Sequence, residues 1–213
     1  MKLYGYSRSS AAFRVRIALN LKGLSYEAAS IHLRRKDQSR PEFLAVNPQG
    51  LVPALDTGDE RLIQSLPIVE YLDETYPEPP LLPSDPAGQA RVRGLAAIVA
   101  CDIHPLNNLR VLRYLLGPLG HQEADVETWY NHWIETGFRA FEALLAADGR
   151  TGAFCHGDTP GLADIALIPQ VANAERYRLD LAPFPTIVGI YQRCMALEAF
   201  AAAHPRRQPD WEE

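Results

Sequence analysis

The sequence predicts two domains in tandem: an α/β domain of order β-α-β-α-β-β-α over residues 1–80, then an all-helical domain over residues 88–213. Three observations carry this reading. Short β-type runs alternate with helical patterns before residue 80, five of the 17 prolines crowd into residues 77–86 (PEPPLLPSDP), and beyond them the β signal nearly vanishes. Proline fixes φ and lacks an amide donor, so such a stretch stops helix and sheet alike, and residues 81–87 read as a linker. The length of 213 residues suits two modest domains, given a usual size of roughly 100–200 residues each.

Residues 2–6 form the first strand, residues 10–22 a helix and residues 26–32 a second strand, and strand, helix, strand implies a parallel pair. A turn-rich stretch follows. Two further strands, near 51–55 and 61–63, are joined by Asp56-Thr57-Gly58-Asp59-Glu60, which has the composition of a tight hairpin. The last helix of this domain runs from residue 65 to about 76, with Ile68, Leu72 and Tyr76 on one face. After the linker, residues 88–116 place Val92, Leu95, Ile98 or Val99, Ile103, Leu106 and Leu109 at helical spacing. Residues 123–147 do the same with Val126, Trp129, Trp133, Ile134, Phe138, Phe141 and Leu145. Both read as long core-lining helices. Residues 162–178 and 185–197 add two more, with a kink expected at Pro169, and the polar tail HPRRQPDWEE is expected to be loose or draped over the surface.

Composition narrows the functional classes. With 47% hydrophobic and 22% charged residues the chain matches ordinary globular proteins, which argues against disorder and fibrous repeats. Its apolar stretches fall short of the ~20 residues that span a bilayer, and MKLYGYSRSS lacks the apolar core of a secretory signal, so a cytoplasmic location is expected. A net charge of -5 disfavours a nucleic-acid partner, and the basic run Arg34-Arg35-Lys36 is balanced by Asp37 and Glu42. The charge is uneven: residues 1–80 carry 10 basic and 10 acidic side chains, whereas residues 81–213 carry 11 and 16. Three cysteines, Cys101, Cys155 and Cys194, without CxxC spacing support neither a disulfide framework nor a metal site.

Three segments of the first domain have the chemistry of a binding site. Ser7-Arg8-Ser9-Ser10 runs into a helix whose N-terminus presents unpaired N–H groups, the positive end of its dipole and two hydroxyls, a combination that stabilises an anion. The plainer alternative is that Ser9 or Ser10 only caps the helix. In Asn47-Pro48-Gln49-Gly50-Leu51-Val52-Pro53, an X-Pro bond ahead of a strand could be cis and leave the Val52 backbone to pair with an extended ligand. Gln64-Ser65, at the start of the next helix, would suit a carboxylate, unless Ser65 serves only as its cap.

The three segments in this order, in a β-α-β-α-β-β-α domain followed by a Pro-rich linker and a helical domain, resemble the glutathione transferase fold, a thioredoxin-like domain joined to an all-α domain. The resemblance spans essentially the whole chain. RSSAAFRVRIALNLKGLSYE, the Asn-Pro-Gln-Gly-Leu-Val-Pro and Gln-Ser-Leu-Pro-Ile-Val-Glu-Tyr-Leu segments, and the run from Cys101 to Arg110 are similar to the zeta class, the maleylacetoacetate isomerases. The resemblance implies that Ser9, and less directly Ser10, donate to the glutathione sulfur. It implies glutathione contacts at Gln38, Val52, Pro53, Gln64, Ser65, His104 and Asn108. His104, Asn108 and Arg110 match positions that line the cleft from the helical domain, and Arg8, Arg110 and Arg176 are implied to hold the carboxylates of a dicarboxylate substrate. A homodimer is implied as well. Ala11 stands where the family pattern has Cys, so a protein thiol cannot act at this turn and the sulfur must come from glutathione. Gly161-Leu162-Ala163-Asp164 replaces a Ser/Thr-x-x-Asp capping box, in which Asp164 can still bond back to the cap amide.

The activity so implied is glutathione-dependent cis–trans isomerisation of maleylacetoacetate to fumarylacetoacetate, a step of tyrosine and homogentisate breakdown. A thiolate adds to the cis double bond, the resulting single bond rotates, and elimination returns the trans alkene. Maleylpyruvate as substrate, a general transferase or α-halo-acid dehalogenase, and a non-enzymatic binding module remain alternatives. The last would be expected to lack the sulfur-stabilising Ser or the Gln64-Ser65 pair, and this chain has both.

Overall fold

In the computed structural model, which describes residues 1–212, Leu3 and Leu55 face each other across the central strands of a four-stranded sheet and are buried. Strand β1 (Lys2–Gly5) pairs parallel with β2 (Glu27–Ser30) and antiparallel with β3 (Ala54–Asp56), which pairs antiparallel with β4 (Arg61–Ile63), giving the order β2-β1-β3-β4. The connections are α1 (Ser10–Leu21), a stretch of 3-10 turns with the one-turn α2 (Pro41–Leu44), and the hairpin turn at Gly58; α3 (Ser65–Thr75) closes the motif. Helices α1 and α3 pack together and bury Phe13, Ile17, Ile68 and Leu72. This is the β-α-β-α-β-β-α order that the sequence predicts.

The first three strands are shorter than expected, β1 by one residue and the other two for identifiable local reasons. Strand β3 begins at Ala54 rather than near residue 51 because the Leu51 carbonyl accepts from Asn47 Nδ2 and Pro53 has no amide to donate. Strand β2 ends at Ser30 because His32 starts a 3-10 turn, its ring Nδ1 accepting from the Arg35 amide. The proline-rich stretch is fixed on its N-terminal side: buried Lys22 donates to Asp73 and to the Pro79 carbonyl, and Asp73 also accepts from the Leu81 amide.

The chain divides into two compact units, Leu82–Cys194 and, separately, Met1–Leu81 joined by the segment from Met195 onward. The sequence reading carried the helical domain to residue 213, but α9 (Glu198–Ala203) packs on α1. There Arg16 Nε donates to the Ala203 carbonyl and Asn20 Nδ2 to that of Ala199, both at 2.9 Å. A six-residue helix, EAFAAA, is too short to register as a period, so this element was missed.

The helical unit holds α4 (Pro86–Ala97), α5 (Leu109–Leu116), α6 (Glu123–Ala147), α7 (Leu162–Arg176) and α8 (Pro185–Met195), the last ending one residue past the division. The single helix expected over 88–116 is in fact broken. After α4 the chain widens into a π-helical segment, Ile98–Ile103, then turns through His104 and Pro105 until Asn108 caps α5. Proline without a donor and Asn with a capping carbonyl explain why the apolar period continued while the helix did not. The segment packs closely on α6, where a Cβ on Gly137 would meet Ile103 Cδ1 at 2.3 Å. Helix α7 runs continuously past Pro169, and α6 buries Val126, Ile134, Phe138, Phe141 and Leu145 as expected, while Trp129 and Trp133 are half-buried. Among the described residues no helix is long and apolar enough to cross a membrane.

Candidate functional site

Ser9 is the N-cap of α1: its backbone is extended, and its Oγ accepts from the Ala12 amide at 3.1 Å. The plain capping role is therefore real, and it leaves the hydroxyl proton free to donate outward, since accepting uses only a lone pair. Capping thus orients Ser9 instead of consuming it. Ser10 is the first residue of the helix and is buried, whereas Ser9 is half-exposed, which makes Ser9 the more accessible hydroxyl. Ala11 and Ala12, both buried, follow it.

At α3 the geometry is the reverse. Gln64 is the N-cap residue but supplies no side-chain cap, and Ser65 is the first helical residue, so the expectation that Ser65 could be merely the cap does not hold. Ser65 Oγ accepts instead from Nη1 of buried Arg14 at 3.2 Å. Gln64 sits at φ 70, in the left-handed region that costs a non-glycine residue of order 1–3 kcal/mol and that clusters at functional sites. Its Nε2 donates to Gln49 Oε1 at 2.9 Å, tying it to the turn before β3. Asn47, buried, holds that turn through its bond to Leu51 O and by accepting from the Gln49 amide. The Val52–Pro53 bond is cis, and Val52 stands just outside the ladder that begins at Ala54. Gly50, at φ 62, lies so near the Gln38 carbonyl that an added Cβ would sit 3.1 Å away. The first unit thus links Ser9, Ser10, Arg14, Ser65, Gln64, Gln49, Gly50 and Gln38 by chain continuity and direct contact.

These residues fit glutathione, a tripeptide with a carboxylate at each end. The uncapped start of α3 offers helix N–H groups to a carboxylate, and the buried Gln38 Oε1 has no hydrogen-bond partner of its own among the described residues.

Arg8 is already engaged. Its guanidinium stacks over Trp211 at 4.8 Å, and Nη2 donates to the Glu212 carbonyl, while Nε has no partner among the described residues. The sequence reading missed these tail contacts because partners about two hundred residues apart leave no local pattern. The draped alternative for the tail describes residues 208–212, and the loose one does not.

In the helical unit, Asn108 caps α5 with Oδ1 accepting from the Arg110 amide at 3.1 Å, which leaves its NH₂ group available. His104 follows the π-helical segment and is half-buried, and Arg110 is exposed. Arg176, at the C-terminus of α7, lies over the Tyr177 ring at 5.1 Å and near buried Tyr130, whose pKa burial raises. It does not pair with Glu175, which accepts from the Tyr191 hydroxyl instead.

The family model of the glutathione S-transferase N-terminal domain matches residues 3–80, and that of the glutathione S-transferase C-terminal domain matches residues 127–206. A solved structure of a maleyl pyruvate isomerase, described as a bacterial zeta-class glutathione S-transferase, is 52% identical with a TM-score of 0.98, covering 100% of both chains. Another, of a maleylacetoacetate isomerase from Methylobacterium extorquens AM1 with bound malonate and glutathione, is 45% identical with a TM-score of 0.97 and covers 100% of both chains. The maleylacetoacetate isomerase of Pseudomonas aeruginosa is 49% identical, covering 99% of this chain and 98% of its own. The chain belongs to the glutathione S-transferase family, in its zeta class.

Proposed function

We propose that the protein is a glutathione-dependent cis–trans isomerase that converts maleylacetoacetate to fumarylacetoacetate. The observation that carries this is the half-exposed Ser9 hydroxyl, fixed by its own cap bond at the N-terminus of α1 with its proton free to donate. Bound at this turn, glutathione supplies a thiol for reversible addition across a cis double bond. Ser9 would donate to that sulfur, and the dipole of α1 adds a positive potential; both favour a thiolate, since a free thiol titrates near 8.5. Gln38, Val52, Pro53, Gln64, Ser65, His104 and Asn108 would hold the peptide. Arg8, Arg110 and Arg176 would take the substrate carboxylates, since the planar guanidinium matches a carboxylate bidentately. Ser10 is the alternative sulfur donor, which its burial disfavours.

Maleylpyruvate, also a cis dicarboxylate, is a second reading, favoured by the 52% identity to a maleyl pyruvate isomerase. An ultraviolet assay of each compound with catalytic glutathione tests both: loss of the maleyl chromophore without consumption of glutathione is expected, faster for maleylacetoacetate. No turnover of either would overturn the proposal. We further propose a cytoplasmic homodimer, for which light scattering at micromolar concentration should give twice the chain mass.

A further inference from the structure

The turn that carries Arg8 and Ser9 is held from behind by the end of the chain. Ser7, almost wholly buried, donates its amide to Asp210 Oδ2 at 3.0 Å and its hydroxyl to the Asp210 carbonyl at 3.1 Å. The same Oδ2 accepts from Ser30 Oγ at 2.8 Å, so one carboxylate joins the turn to the end of β2. The next two residues continue the contact: Trp211 lies under the Arg8 guanidinium, and the Glu212 carbonyl accepts from Arg8 Nη2. The Glu212 carboxylate is anchored in turn. His32 Nδ1 accepts from the Arg35 amide, which leaves Nε2 to donate to Glu212 Oε2 at 3.0 Å, and Arg35 Nη2 pairs with Oε1. Arg16, buried beneath the turn, donates to the carbonyls of Tyr6 and Ser7 and to that of Ala203.

We propose that Asp210 is a positioning residue for the proposed isomerisation: with Trp211 and Glu212 it fixes Arg8 to receive a substrate carboxylate, acting through Ser7 and without touching the reactants. The division of labour follows from which bonds hold which residue. Ser9 is set by its own Oγ bond to Ala12 and by its amide bond to the Tyr6 carbonyl at 2.9 Å, neither of which involves the tail. Arg8 has its polar contact and its ring contact on the tail itself. Loosening the tail therefore disturbs recognition of a dicarboxylate more than activation of a thiol.

The inference rests on the isomerase reading, and the test separates the two. Asp210→Ala removes the carboxylate and leaves the carbonyl. In the glutathione-free protein, hydrogen exchange of peptides spanning residues 6–12 should accelerate about tenfold, with peptides of α6 unchanged. In the assay, kcat/KM for the dicarboxylate should fall about tenfold, while conjugation of glutathione to chlorodinitrobenzene, an uncharged electrophile, stays within about twofold. Asp210→Asn, which keeps an acceptor for the Ser7 amide, should restore most of both. If Asp210→Ala does not fold, Ser30→Ala, which removes one bond of the same carboxylate, reads the same contrast at smaller amplitude. Unchanged exchange at the turn, or equal loss of both activities, overturns the positioning role. A wild-type protein inert toward the dicarboxylate overturns the isomerase reading instead, and the exchange measurement then still decides whether Asp210 clamps the turn.

Discussion

Helices α1 and α7 solve the same problem at their N-termini by opposite means. At α1 the cap is a half-exposed hydroxyl that satisfies one amide and keeps a proton to donate. At α7 the cap residue is Gly161, and the work passes to Asp164, which is 1% exposed and has both oxygens occupied, by the Gly161 amide and by the Cys155 amide, each at 2.9 Å. The difference separates function from folding. A cap with spare valence beside solvent can act on a ligand, whereas a fully used carboxylate in the core can only hold the chain together. Burial also raises the pKa of Asp164 despite its two N–H partners.

The largest expected effect breaks the buried member of the pair. Asp164→Ala orphans two amides in a dry environment and should cost about 3 kcal/mol, or roughly 6–12 °C in Tm, read by thermal or urea unfolding. Ser9→Ala should do the reverse. It should cost only about 1 kcal/mol of stability but lower kcat on the order of a hundredfold, with glutathione binding little changed, as steady-state kinetics and calorimetry would show. An equal kinetic loss in Ser10→Ala with none in Ser9→Ala would reassign the role. At the far end of α7, Arg176→Met should lower kcat/KM for the dicarboxylate by at least about tenfold and leave chlorodinitrobenzene conjugation nearly unaltered. Equal damage to both would place Arg176 in the fold through its contact with the Tyr177 ring.

The smallest effect is a contrast of sign between two carboxylates. Burial raises Asp164, so the stability it contributes is full below its unfolded value near 3.8 and declines as pH rises through the folded value. Glu212 is lowered, first by its hydrogen bond with His32 and then by Arg35, so its contribution is full above about 4.5 and is lost as pH falls through the folded value. Carboxyl chemical shifts followed from pH 7 to pH 2 should show the two midpoints on opposite sides of the ordinary range.

How much of this was legible in the residues depends on distance along the chain. The order of strands and helices to residue 76, the boundaries of α6, the Asp164 bond to the cap amide and the helix starts beside Ser9 and Gln64 all follow from local rules. Period, capping chemistry and turn composition act within a few residues, and the sequence carries them directly. The break after α4 was hidden because apolar spacing persists through a π-helical widening. Whether Ser65 caps its helix was equally undecided, because its partner Arg14 lies fifty-one residues away.

What the sequence by itself determined is the two-part architecture and the chemistry available at each helix start, since both are set by neighbours in the chain. Tertiary structure decided which of those groups are already spent. It placed α9 against α1 and residues 210–212 against the turn before it, and so gave Arg8 a stacking partner and an acceptor in the tail. Those outcomes depend on contacts across some two hundred residues, where no periodicity or spacing survives, so only the packed chain could fix them.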